Sequence, residues 1–141
     1  MKNIEQTKFL NRNKDIISAL WIFLSLNYIF CDVLSNMESS VLKGLIQGNI
    51  ANIDINQEML LAAGISLEIP FLMIVLSKVL KYKYNKIINI IAGVLMIIYQ
   101  VSSFFMGGTE PSLHYIFFSI VEVLGNLIIV LYAFNWKEID E

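Results

Sequence analysis

Three carboxyl side chains stand inside long apolar runs of this sequence: Asp32 in SLNYIFCDVLS, Glu68 in AGISLEIPFL and Glu122 in FFSIVEVLGN. A charge at the centre of a bilayer costs ~2.5–3.5 kcal/mol on insertion scales. Groups kept at that cost are candidates to bind a cation, to carry a proton or to donate hydrogen bonds. No Lys or Arg lies deep in these apolar runs to neutralise them; Lys78 stands at the end of its run. By depth, Glu68 and Glu122 fall near the middle of their runs and Asp32 nearer one end. Amides accompany them: Gln100, Asn27 and Asn126. Several of these residues share a helix face. Ser119, Glu122 and Asn126 follow i, i+3, i+7; Asn89, Gly93, Met96 and Gln100 follow i, i+4, i+7, i+11; Tyr28 and Asp32 are an i, i+4 pair. The expectation is one shared polar pocket. Glu68 and Glu122 would hold a cation or proton, Asp32 and Gln100 would line its outer mouth, and Asn27 and Asn126 would add polar contacts.

The competing reading is structural. Polar side chains hydrogen-bond between membrane helices for ~0.6 kcal/mol on average, and Asn27, Asn89 and Asn126 fit that role well. The single Cys31 rules out an intrachain disulfide and paired-cysteine redox or zinc chemistry, and reads as a small packing residue. His114 stands at the outer mouth of the last apolar run. The chain shows no nucleotide loop, no metal-ligand spacing and no nucleophile constellation, so no cofactor and no metal are expected. A net charge of -2 with no broad basic face gives no reason to expect nucleic acid.

The elements that must position these groups are membrane helices. Of the 141 residues, 57% are hydrophobic and 16% charged, against ~45–50% and ~25% in soluble domains. The mean hydropathy is +0.66. The excess concentrates in four blocks, about Ile16–Met37, Met59–Leu80, Ile87–Met106 and Leu113–Phe134. Each has the ~20 residues that cross a ~30 Å hydrocarbon layer as a helix. A helix satisfies its own backbone hydrogen bonds, and the runs are too long for barrel strands. The first block is longer than a signal-peptide core and lacks a small-residue exit, so it reads as a retained span. The fold expected is one all-α membrane domain, an integral four-helix bundle.

Nine of the ten Lys and Arg residues fall on one side of these spans. They are Lys2, Lys8, Arg12 and Lys14 before span one, Lys78, Lys81, Lys83 and Lys86 around the turn after span two, and Lys137 at the end; Lys43 alone faces the other side. The positive-inside rule then places both termini and the lysine turn in the cytoplasm of a multi-pass cell-membrane protein. Trp21, Tyr82, Tyr84, Tyr132 and Trp136 would form an aromatic belt on that side. In the outer loop Glu38–Glu58, Val41, Leu42, Leu45 and Ile46 recur at helical spacing, which predicts a short interfacial helix that Gly44 and Gly48 weaken. Gly107-Gly108-Thr109-Glu110-Pro111 breaks the chain before span four, and Pro111-Ser112 suits a helix start. Pro70, two residues after Glu68, is expected to kink span two beside the acid.

The segments Ala19–Phe23 and Asp32–Leu34, the run Gly64–Pro70 and the Glu122 span resemble a family of small uncharacterised bacterial membrane proteins, broadly similar to the DoxX-like group. That resemblance implies a four-helix membrane bundle and no particular activity. Small multidrug exporters are also short four-span proteins, but their intramembrane Glu lies in the first span, where this chain has only Asp32. Sterol-isomerase-like four-span proteins also hold acids in a lipid-facing pocket, and quinone reductases of the vitamin K type need two cysteines. The leading functional expectation is binding or transport of a small apolar or cationic compound in a carboxylate-lined pocket. An accessory subunit of a membrane complex, whose polar groups pack on a partner or on a second copy, is the alternative. A lipid-modifying isomerase using the acids as proton donor and acceptor is a third.

Overall fold

A computed structural model describes residues 2–50, 53–106 and 110–136. Five helices follow one another: α1 (Lys2–Asn36), α2 (Ser39–Gln47), α3 (Gln57–Val79), α4 (Tyr82–Met106) and α5 (Leu113–Asn135). Between α2 and α3 the chain makes a small antiparallel ribbon of β1 (Asn49–Ile50) and β2 (Ile53–Asp54), with Asn49 opposite Asp54. Four helices are long and apolar enough to cross a membrane, over Arg12–Asn36, Gln57–Val79, Tyr82–Phe105 and Leu113–Asn135. The elements expected from hydropathy are therefore present, with different ends. α1 starts well upstream of Ile16 and carries the basic tail into the helix. α4 starts at Tyr82 rather than Ile87, so most of the lysine turn is helical and only Leu80 and Lys81 connect α3 to α4. Of the breaker cluster, Gly107, Gly108 and Thr109 lie outside the described residues, as does Lys137.

Local chemistry explains the boundaries. Asn56 caps α3, its side chain accepting the Met59 N–H at 2.8 Å. Gly48 ends α2 in the left-handed region (φ 73°), where a side chain would be strained. Its N–H donates to Leu45 O at 3.1 Å, and its carbonyl accepts from Ile55 N at 2.9 Å. The glycine that weakens a helical reading of this loop is thus its C-terminal stop. Leu42 and Ile46 on α2 are exposed, as an interfacial helix requires. α3 runs through Pro70 without interruption.

α1 is the central element: it packs on α3 along one side and on α5 along another, while α4 packs chiefly on α5. Ile17, Trp21, Leu24 and Tyr28 form its buried stripe at 3–4 residue spacing. They meet Met73 of α3, Ala92 and Met96 of α4, and Ile129 and Ala133 of α5. The α1–α5 approach is close at Gly125, where an added Cβ would lie 2.6 Å from Leu24 Cδ2. α3 and α4 share the shortest connection, yet they are the loosest sequential pair of long helices; an apolar groove of about 230 Å3 separates them, lined by residues such as Leu72, Leu76, Ile88 and Leu95.

The interior is unusually polar and the exterior unusually apolar. Among the described residues, buried polar side chains nearly match buried apolar ones in number, while Phe23, Phe30, Leu61, Val75, Phe105 and Phe134 are among many large apolar groups left exposed. Hydrocarbon is a good solvent for the second set and a poor one for the first, so this inversion is what a bilayer selects. Trp21 corrects the aromatic-belt expectation. It is 0% exposed, a core residue whose indole donates to Asn89 Oδ1 at 2.6 Å. Trp136 is also buried, edge-on to Tyr82.

Candidate functional site

Two polar clusters occupy the interior, at opposite ends of the long helices. The first lies near the α3–α4 turn. Asn89 Oδ1 accepts from Trp21 Nε1 (2.6 Å) and Ser77 Oγ (3.1 Å), and Asn89 Nδ2 donates to Asn85 Oδ1 (2.6 Å) and Asn85 O (2.8 Å). Asn85 Nδ2 donates in turn to Ser77 O at 2.6 Å, and Ser18 Oγ to Ile74 O at 2.9 Å. This network ties α1, α3 and α4 together with its capacity used. Nearby, Tyr82 OH (2.6 Å) and Lys86 Nζ (3.0 Å) both donate to Trp136 O, Tyr132 OH donates to Asn13 Oδ1 (2.8 Å), and Lys78 pairs with Asp15.

The second cluster surrounds a cavity of about 180 Å3 toward the ribbon end. α1 contributes Tyr28, Cys31 and Asp32, and α3 contributes Ala63 and Leu67. Tyr99, Gln100 and Ser103 come from α4, and Tyr115 and Glu122 from α5. Each set follows from helical phase: Tyr28 and Asp32 are one turn apart, Ala63 and Leu67 likewise, and Tyr115 and Glu122 are two turns apart. Gln100 Nε2 donates to Ser119 Oγ (2.6 Å), Ser103 Oγ donates to Gln100 O (2.5 Å), and Ser103 Oγ and Tyr115 OH share a 2.5 Å bond. Behind the cavity, Asn126 Nδ2 donates to Tyr28 OH (2.7 Å) and to Glu122 O (2.8 Å). At the end of the helices above it, His114 Nε2 contacts Ser35 Oγ at 3.2 Å and Nδ1 lies 3.3 Å from Glu38 Oε1, which fastens α5 to the end of α1.

This cluster is incomplete in a way the first is not. Among the described residues, the buried side-chain atoms without a hydrogen-bond partner are Glu122 Oε1, Asn126 Oδ1 and Trp136 Nε1. Two of the three belong to the wall of this cavity or to the residue directly behind it. Glu122 is 1% exposed, so its carboxyl meets no bulk water. An orphaned buried acceptor costs ~1–3 kcal/mol.

That chain belongs to a family of unknown function. The DUF6326 family model matches residues 1–141. No curated protein and no solved structure matches it. For this DUF6326 chain the match supports the coarser half of the resemblance, an uncharacterised family, and the four long apolar helices supply its membrane character.

The six residues singled out by sequence divide. Asp32, Gln100 and Glu122 line the cavity, and Asn126 backs it. Glu68 and Asn27 do not join them. Glu68 lies on the exposed face of α3 with Leu61, Ile65 and Leu72, opposite the buried positions Pro70, Met73 and Ser77. Asn27 donates to its own helix at Phe23 O (2.9 Å), a local bond away from the cavity. Tyr99, Ser103 and Tyr115 were not foreseen. Their signal was available in phase: Ser103 stands one turn from Gln100, and Tyr115 one turn from Ser119.

Proposed function

We propose that this protein is a multi-pass membrane protein that binds, and in binding can carry, a small apolar or cationic compound in the cavity between Asp32, Gln100 and Glu122. The observation that supports this most is Glu122 Oε1, buried at the cavity wall with no partner. Away from the cavity the described buried side-chain polar groups are paired with the exception of Trp136 Nε1, as the Asn89 network illustrates. A carboxyl left open beside an empty volume, at a cost in stability, is what a ligand site looks like. The basic residues orient the chain with both termini and the lysine turn in the cytoplasm, so the cavity lies in the outer half of the bilayer.

Thermal stabilisation of the purified protein by a panel of small amines and neutral aromatics tests the reading. Hits are expected, and Ala63→Leu, which fills the cavity from α3, should abolish them; a panel with no hit defeats the proposal. For orientation, Lys83→Cys in a Cys31→Ala background should be silent to an impermeant thiol reagent applied to intact cells. Labelling from outside would reverse the topology.

Glu68 favours a second reading, the accessory or self-associating subunit. It sits midway along α3, roughly 16 Å from either end at ~1.5 Å per residue, too deep for its short side chain to reach water. A carboxyl facing outward there fits a helix of a partner or of a second copy. Photo-crosslinking from Ile65, one turn away on the same face, should then capture a discrete protein adduct. Capture of lipid alone would remove this reading.

A further inference from the structure

The donors and acceptors of the cavity specify its ligand more narrowly. This step rests on the binding role proposed above. Most strong donors at the wall are already used: the Gln100 amide on Ser119, the Ser103 hydroxyl within its bonds to Gln100 and Tyr115, and the Asn126 amide on Tyr28 and Glu122. Among the described residues, the hydroxyl protons of Tyr28 and Tyr99 and the second N–H of the Gln100 amide are what is left over. What the wall offers in excess is acceptor capacity, in the open Glu122 Oε1 and the Asp32 carboxyl, together with three tyrosine rings. Among the described residues, no Lys, Arg or His lines it. Two carboxyls repel an anion, and a neutral compound leaves their charge or proton uncompensated. A cation with N–H donors fills the open acceptor and gains from ring faces.

Size narrows the class again. A cavity of about 180 Å3 is slightly larger than the ~150 Å3 void that holds benzene in an engineered protein. It admits one small aromatic or branched aliphatic body and excludes bulky lipophilic cations.

We infer that the cavity takes a small protonated amine, its ammonium group on Glu122 and Asp32 and its apolar body against Tyr28, Tyr99 and Tyr115. An amine of this class, unlike a quaternary ammonium ion, supplies the N–H that the orphaned oxygen lacks. The reading also explains why the carboxyls are retained beside aromatic rings in a hydrocarbon setting. Each group recognises a different end of one molecule.

The chain carries its own reporter. Cys31 is its single cysteine and lines the cavity. Its modification rate can be measured on the full-length purified protein with three small methanethiosulfonates, aminoethyl (cationic), methyl (neutral) and sulfonatoethyl (anionic), each corrected for its reactivity with a free thiol. The aminoethyl reagent should be favoured over the methyl one by roughly tenfold, the ratio that ~1.4 kcal/mol produces. The anionic reagent should be slowest. Benzylammonium should protect Cys31, whereas benzyl alcohol at equal concentration should not. Glu122→Gln should abolish the cationic preference, read as the aminoethyl-to-methyl rate ratio within that variant so that any change in the thiol's own reactivity cancels; Asp32→Asn gives a second, independent test should Glu122→Gln fold poorly. If the corrected rates are equal, or benzyl alcohol protects as well as benzylammonium, the site binds compounds but is not selective for cations. If even the methyl reagent reaches Cys31 only after denaturation, the cavity is closed and the binding role itself falls.

Discussion

The two polar clusters are made of similar residues and come to opposite ends. Near the α3–α4 turn, Trp21, Ser77, Asn85 and Asn89 close on one another, and Asn89 alone accepts twice and donates twice. Toward the ribbon, Asp32, Gln100, Ser103 and Glu122 surround a volume, and a buried carboxyl oxygen is left open. Both lie between the same long apolar helices, so an apolar surrounding does not account for the difference. The geometry of the helices does. Where α1, α3 and α4 approach one another, short side chains reach across and pair. Where four helices each contribute a wall, the same kinds of side chain stop short of one another. A membrane protein can therefore use polar groups as fasteners at one end and as a recognition surface at the other. The sign of a substitution tells which is which.

The largest effect should come from the fastener. Trp21 is fully buried and hydrogen-bonded, so Trp21→Ala should cost ~3–5 kcal/mol in unfolding free energy, read by reversible denaturation in mixed micelles. A loss below the range of ordinary surface changes would remove the distinction between the clusters. Asn89→Ala should follow at ~1–3 kcal/mol, because it orphans the Trp21 indole and both Asn85 and Ser77 lose a partner.

At the cavity the sign should invert. Glu122→Leu removes a buried carboxyl oxygen that has no partner, so it should leave stability equal or raise it by ~1 kcal/mol, while abolishing the protection of Cys31 by benzylammonium. A Glu122→Leu protein as crippled as Asn89→Ala would mean that both clusters are structural. The smallest effect is expected at Glu68. On the exposed face of α3, Glu68→Leu should shift the unfolding free energy of the isolated chain by less than ~0.5 kcal/mol. Any larger consequence should appear in association instead, as a change in oligomer size by light scattering. An effect on Cys31 protection would place Glu68 inside the cavity and contradict its outward position.

Hydropathy was enough to read four long helices and their approximate positions, and helical spacing was enough to read the short helix after the first. These are properties of single segments. A run of ~20 apolar residues has few alternatives to a spanning helix, and a cap such as Asn56 or a stop such as Gly48 acts within a few residues of itself. The faces Ser119–Glu122–Asn126 and Asn89–Gly93–Met96–Gln100 were also legible, because polar residues among apolar ones mark a phase, and all of them are buried. α3 gave no such mark. It is apolar nearly all round, so nothing local said whether Glu68 or Pro70 faced inward, and Glu68 proved to be on the outside. Trp21 likewise could sit at an interface or in a core, and only the position of Asn89 on another helix decided it. Which helices become neighbours, which polar groups then meet, and where a void remains between them depend on how whole helices pack. Packing is set by contacts between residues such as Leu24 and Gly125 that lie far apart in sequence.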